Sequence, residues 1–245
     1  MQKTYRAEGL VGFYRGVASP LLGQMFFNAV QFMAYTKAKE IAAGGKAGAE
    51  LTIPQYFAAG AMTGAVVSLI ECPIDLYKTQ LQTQVFQPTP AFTTLPQTVR
   101  YVTAHSGALG AYQGFLPTLA RNIPAVSCYF GVYETVRRLE AEARGVGVEQ
   151  LTVPELLIAG SVGGLSYWIF TYPIDCIKSA IQADDVRKEK RRFSGMADAA
   201  RGMWAEGGLK RFFKGITPCL MRAAPANAVC FLLYEKSIKL LDQYF

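Results

Sequence analysis

A hexapeptide that recurs at a spacing of one hundred residues constrains the fold of this chain more than any other feature. Pro73-Ile74-Asp75-Leu76-Tyr77-Lys78 returns as Pro173-Ile174-Asp175-Cys176-Ile177-Lys178, 100 positions later, and Gln82 returns as Gln182. Upstream the register holds: Gly60 and Gly64 match Gly160 and Gly164, and Leu51-Thr52-Ile53-Pro54 matches Leu151-Thr152-Val153-Pro154. A fixed period of this kind marks related structural units. A second landmark occurs three times, as Gly12-Phe13-Tyr14-Arg15-Gly16, Gly110-Ala111-Tyr112-Gln113-Gly114 and Arg211-Phe212-Phe213-Lys214-Gly215. Counted from each closing glycine, position +16 is Phe32, Phe130 and Phe231, and position +19 is Tyr35, Tyr133 and Tyr234. Three copies of a second half and two of a first half divide the chain into 1–48, the second half of repeat one, followed by repeat two at 49–148 and repeat three at 149–245.

Each first half reads as a long apolar helix, at about 54–85 and 153–183, too continuously hydrophobic for a surface helix. The second halves supply further helices at about 19–43, 117–143 and 217–244. With 51% hydrophobic residues, the expectation is an all-α membrane protein with five long membrane helices. Prolines inside such helices kink them and are tolerated where neighbours satisfy the freed carbonyls. Polar stretches between the halves are expected to hold short surface helices, for example at 194–205 after the basic run Arg187 to Arg192. Gly60-xxx-Gly64 and Gly160-xxx-Gly164 present small faces on which helix backbones can approach closely. A net charge of +7 suits nucleic acid, anionic lipid or an anionic solute in a pore, and by itself selects none of them.

Pro-x-Asp-x-x-Lys on a kinked apolar helix, followed some tens of residues later by Gly-x-x-x-x-aromatic-x-Gly, resembles the signature of the mitochondrial carrier family (solute carrier family 25). The similarity spans essentially the whole chain. It implies a three-repeat helix bundle around a central pore that opens alternately to either side, with short matrix helices and a location in the mitochondrial inner membrane. Under this resemblance the chain starts in the matrix segment of repeat one, so the first transmembrane helix of the family fold is missing from the sequence. A truncated, non-transporting membrane protein that assembles with or interferes with full-length carriers is therefore the alternative to a transporter.

Asp and Lys three residues apart share a helix face and are too costly for lipid contact, so they must face a pore or each other. In the family such residues form ion pairs between neighbouring odd-numbered helices and close the matrix side, with the following glutamine bracing the pair. The resemblance assigns this matrix gate to Asp75, Lys78, Gln82, Asp175, Lys178 and Gln182. The family also carries a base two residues after the motif lysine, where this chain has Gln80 and Ala180. The corresponding cytosolic gate is complete only in repeat two, as Tyr133, Glu134 and Arg137, while repeat one keeps Lys39 and repeat three keeps Tyr234 and Glu235. Bridges from Lys39 to Glu134 and from Arg137 to Glu235 would remain.

Family substrate contacts, seven to eight residues after the landmark glycine, fall on Gly23 and Gln24, Arg121 and Asn122, and Arg222. Arginine in the middle of an apolar helix is expensive unless it lines a wet cavity or is paired. Two guanidinium forks suit a carboxylate. The segments starting Arg121-Asn122-Ile123-Pro124 and Arg222-Ala223-Ala224-Pro225 are similar to the carnitine, acylcarnitine and amino-acid carrier branch. That branch places an acid after the first arginine to read an ammonium group, and here Asn122 stands there. Glu71, four residues before Asp75 and on its helix face, either reads a substrate ammonium, takes a proton, or partners an arginine.

Neither a nucleophile constellation nor a phosphate loop is visible, so an enzyme has no chemistry to rest on and no cofactor is implied. The five cysteines lack metal-ligand spacing and read as buried small apolar residues, and His105 has no companion for catalysis or metal binding. The basic run sits between membrane helices, which favours anionic lipid, cardiolipin included, over nucleic acid. The resemblance implies a monomer for a full-length carrier.

Overall fold

The computed structural model describes residues 18–45, 51–84 and 91–217, with side chains from residue 25 onward. Among the described residues the chain is all helix and turn. The helices are α1 (Ala18–Ala42), α2 (Ile53–Gln84), α3 (Leu95–Ser106), α4 (Phe115–Arg144), α5 (Val153–Gln182) and α6 (Met196–Phe212), with short 3₁₀ turns at Ala108–Tyr112, Val148–Gln150 and Lys188–Lys190. The long helices begin and end within two residues of the expected positions. The surface helix differs: α6 runs on to Phe212, with a break at Gly207 and at Gly208, whose φ of 56° is left-handed. The helix expected at 217–244 lies outside the described residues.

The recurring sequences have local physical causes. At the start of α2, Gln55 Oε1 accepts from the Thr52 amide at 2.8 Å, and at the start of α5, Glu155 Oε2 accepts from the Thr152 amide at 2.6 Å. Both are the backward half of a capping box, with proline in the first turn, where its missing N–H costs nothing. The closing glycine of the second landmark is left-handed wherever it is described, with φ 81° at Gly114 and 98° at Gly215. Gly114 caps the N-terminus of α4 in a conformation that a Cβ would strain.

α4 packs between α2 and α5, α1 lies against α2, and α6 against α5. Gly60 and Gly64 do what the small-residue pattern predicts: a Cβ on Gly64 would lie 2.4 Å from the Asn122 carbonyl oxygen, and one on Gly60 2.7 Å from Ser127 Cα. The matching pair in α5 does not behave alike. Gly160 and Gly164 meet no described atom, and α5 approaches α4 through Gly163, whose Cβ would lie 3.0 Å from the Tyr129 carbonyl oxygen. The α5 pair instead borders, with Val126, Tyr129 and Tyr133 of α4, an open cavity between α1, α4 and α5, so no described atom lies within 4 Å of the added Cβ.

Two of the helices, Ile53–Gln84 and Val153–Gln182, are long and apolar enough to cross a membrane. Leu69 and Ile74 on α2 and Leu165, Ile169 and Phe170 on α5 are exposed, as an apolar solvent requires. Of the cysteines, Cys72 is buried, whereas Cys128 and Cys176 are half-buried, which corrects the reading of all five as core residues. Cys219 and Cys230 lie outside the described residues.

Candidate functional site

Toward the C-terminal ends of α2 and α5 and the N-terminal end of α4, these three helices bring five charged side chains into one cluster. Arg121 projects from α4 and pairs with Glu71 of α2; its Nη1 reaches Asp175 Oδ1 of α5 at 3.0 Å. The remaining guanidinium edge faces its neighbour, with Nε and Nη2 donating to Asn122 Oδ1 at 3.0 and 2.6 Å. Asn122 in turn donates from Nδ2 to Glu71 Oε2 at 2.6 Å and to Ser68 Oγ at 3.0 Å. Lys178 of α5 pairs with Asp75 of α2, and its Nζ lies 3.4 Å from Glu71 Oε1. The Arg121 and Lys178 side chains are only 7% and 3% exposed, so neither is solvated by bulk water, and their pairing is what makes burial tolerable.

The ion pair expected between the two proline-motif helices is thus present as Asp75 with Lys178. Asp175 serves the opposite direction, toward Arg121. Lys78 and Gln82 are exposed, and among the described residues no ion pair forms at Lys78. Gln182 is buried, but its Nε2 finds no partner among the described residues; it takes part through its main chain, whose carbonyl accepts from Gln80 Nε2 at 2.7 Å. Gln80 also donates to the Asp184 carbonyl at 2.7 Å. The position where the family pattern has a base therefore holds the C-terminal carbonyls of α5 instead.

At the other end of α4, Glu134 is 3% exposed, and its carboxylate meets Arg138 Nε at 2.9 Å and Arg137 Nε at 3.3 Å on its own helix. The bridge from Lys39 to Glu134 is not formed. Lys39 Nζ lies 5.1 Å from the Tyr35 ring centroid, and that ring stacks on Phe130 at 3.6 Å. An i,i+4 partner on the same helix, Arg138, is closer to hand for Glu134 than a lysine on α1. Tyr133 lines a cavity of about 630 Å³ between α1, α4 and α5, with Tyr129, Tyr167 and Trp168 contributing further rings. Val126 and Tyr129 place this cavity one to two helical turns beyond Arg121 along α4.

Sequence reasoning missed Ser68, Gln80, Tyr167 and Trp168. Ser68 was open to discovery through its three-residue spacing from Glu71, and Tyr167 through its departure from the repeat, where Val67 is the counterpart. Gly23 lies within α1, while the side chain of Gln24 and all of Arg222, Tyr234 and Glu235 lie outside the described residues. Three arginines of the basic run have partners within the chain: Arg187 pairs with Asp185 at 3.0 Å, Arg192 with Glu206 at 2.5 Å, and Arg191 donates to Gln113 Oε1 at 2.9 Å, while the Arg192 side chain stays 65% exposed. Lys188 and Lys190 of that run stand exposed without such a partner among the described residues. His105, on α3, packs its ring 4.2 Å from that of Tyr101 and is exposed. Among the described residues no group of histidine, cysteine and acidic side chains could hold a metal.

A family model described as mitochondrial carrier protein matches the chain three times, over residues 1–46, 49–142 and 149–245. Relatives of comparable similarity carry different solute names. A mitochondrial carnitine/acylcarnitine carrier-like protein of Arabidopsis thaliana is 35% identical over 246 residues, covering 96% of this chain and 80% of that protein. A mitochondrial basic amino acids transporter of Rattus norvegicus is 34% identical over 94% of this chain and 72% of its own length. A mitochondrial ornithine transporter 1 of Mus musculus is 32% identical over 98% of this chain and 80% of its own length.

Proposed function

This chain belongs to the mitochondrial carrier family, and from that premise we propose that it moves a small carboxylate-bearing metabolite of the amino-acid, carnitine or acylcarnitine class across the mitochondrial inner membrane by alternating access. Members of the family are transporters of small-molecule solutes rather than enzymes. The observation that carries the narrower reading is Arg121, a buried guanidinium about two turns into α4, held among two carboxylates and an amide. A fork with that planar geometry recognises a carboxylate bidentately. The solutes in the relatives' names, carnitine and the basic amino acids, all carry a carboxylate. The cavity of about 630 Å³ beyond Arg121 has the size of a small-molecule site.

Alternating access is supported by the asymmetry of the ionic contacts. On the side that the family resemblance assigns to the matrix, Asp75 and Lys178 join α2 to α5; on the other side, Glu134 and Lys39 stay with partners on their own helices. In this reading α1, α2, α4 and α5 span the membrane, with 217–244 as a further span on sequence grounds. The exposed Lys188 and Lys190 face anionic head groups.

Purified protein reconstituted into liposomes tests the proposal through uptake of labelled carnitine and labelled ornithine. Saturable uptake that disappears in Arg121→Ala is the expected result. If correctly inserted, unmodified protein takes up neither, the substrate class is wrong.

A further inference from the structure

Four of the five N–H donors of Arg121 are engaged by described partners, which leaves one on Nη1. Nη1 is engaged by Asp175, Nη2 by Glu71 and Asn122, and Nε by Asn122. A substrate carboxylate can therefore take the guanidinium bidentately only by displacing a partner already on it. Glu71 is the more readily transferred of the two, because the oxygen that pairs with Arg121, Oε1, already lies 3.4 Å from Lys178 Nζ. Asn122 holds the other oxygen at 2.6 Å, so the carboxylate can pivot about a fixed point. Asp175 has no second base within ion-pair distance among the described residues.

Charge balance then limits where a displaced Glu71 can settle. The cluster contains three carboxylates, Glu71, Asp75 and Asp175, for two bases, Arg121 and Lys178. A displaced Glu71 with nowhere to go would be an unpaired buried charge, which is strongly unfavourable. Its nearest refuge is Lys178, and every step toward Lys178 competes with Asp75 for the same ammonium. We propose that Glu71 is the positioning residue that couples occupancy of Arg121 to the Asp75–Lys178 pair: a bound carboxylate drives Glu71 onto Lys178 and thereby loosens the contact joining α2 to α5. The inference rests on the transport reading above and adds the residue through which binding reaches the closure. It also gives Asn122 a role, as the pivot that keeps Glu71 between the two bases.

Initial-rate kinetics of carnitine and ornithine uptake in proteoliposomes test it, with Glu71→Gln, Glu71→Asp, Asp75→Asn and the Glu71→Gln/Asp75→Asn pair. Glu71→Gln keeps the shape and the Asn122 contact but removes the charge. Vmax is expected to fall about tenfold or more while KM stays level or decreases, since Arg121 loses a competing anion. Glu71→Asp, which retains the charge, keeps roughly a third or more of Vmax. In the Asp75→Asn background, where Lys178 has already lost its carboxylate partner, Glu71→Gln should change Vmax by less than about twofold, the non-additivity that a shared contact produces.

Three results overturn the proposal: unchanged Vmax in Glu71→Gln, equal losses in Glu71→Gln and Glu71→Asp, or additive losses in the double variant. Failure of the unmodified protein to take up either probe would overturn the substrate class proposed above, and the coupling with it. The two failures are distinguished by which protein is inactive.

Discussion

Gln80 Nε2 donates to the main-chain carbonyl of Gln182 at 2.7 Å, joining the ends of two helices whose motifs lie 100 residues apart. The same amide reaches the Asp184 carbonyl at 2.7 Å, so a 4%-exposed side chain serves one of the carbonyls that the C-terminus of α5 leaves without an intrahelical partner and another two residues beyond it. Gln113 does parallel work, donating to the Ile181 carbonyl at 2.9 Å while accepting from Arg191 at 2.9 Å. Uncharged amides thus hold the end of α5 against repeat two, below the Asp75–Lys178 pair.

Removing that amide should destabilise the protein more than removing an exposed one nearby. Gln80→Leu leaves buried carbonyls unsatisfied, at a cost of about 1–3 kcal/mol. In a chain of this size that corresponds to roughly 2–4 °C of melting temperature per kcal/mol. Thermal unfolding in detergent checks this, with Gln82→Leu, at an exposed position, as the variant expected to stay close to the unmodified protein.

Gly64→Ala should impair assembly severely. Its Cβ would meet the main-chain carbonyl of Asn122 at 2.4 Å, and backbone cannot yield as a flexible side chain can. Overpacking of this kind costs about 1–3 kcal/mol or more. Gly147, whose added Cβ would meet no described atom within 4 Å, is the control: Gly147→Ala should express and melt like the parent. Yield of monodisperse protein and melting temperature are the measurements.

Charge without the planar fork should not suffice at position 121. Arg121→Lys keeps one positive charge but cannot engage Glu71, Asp175 and Asn122 together. Uptake should fall about tenfold or more, a loss of roughly 1.4 kcal/mol in transition-state stabilisation. Liposome assays with matched protein incorporation check it, and full uptake by the lysine variant would remove Arg121 from the substrate site.

Acid should loosen the segment after α5. Hydrogen bonding from Arg187, whose Nε and Nη2 lie 3.1 and 3.0 Å from the Asp185 carboxylate, holds that carboxyl below the usual carboxylate range. A group whose pKa is depressed by folding contributes stability above its unfolded pKa, about 3.9, and loses it as pH falls through the lower folded value. Asp185→Asn should therefore melt lower than the parent near neutral pH and converge with it below about pH 3. The effect is small, because the pair is partly solvent-exposed and screened. Melting curves from pH 7 downward read it directly.

Much of the architecture was legible in the sequence because it repeats and because its causes are local. Thr52 with Gln55 and Thr152 with Glu155 mark two helix starts, Gly114 and Gly215 occupy left-handed positions, and both can be found within five residues of chain. The pairing of Asp75 with Lys178 was legible too, since a repeat that preserves register preserves which faces meet. Other pairings were decided by which partner lies nearest in the folded chain. Arg191 and Arg192 bond to Gln113 and Glu206, partners whose nearness depends on how a loop turns. Glu134 was expected to bridge to Lys39 and instead meets Arg137 and Arg138.

Periodicity and short-range chemistry act over a few residues or at a constant offset, and for that reason the sequence by itself determined the repeat, the helices, the caps and the charged faces of α2 and α5. Competition among several acceptors for one donor has no such offset. Whether Arg121 is spent on Glu71, Asp175 or Asn122, and whether Glu71 also reaches Lys178, depends on angstrom-scale distances between three helices. Only the tertiary structure decided that, because only packing brings three carboxylates and two bases close enough for each to alter what the others can bind.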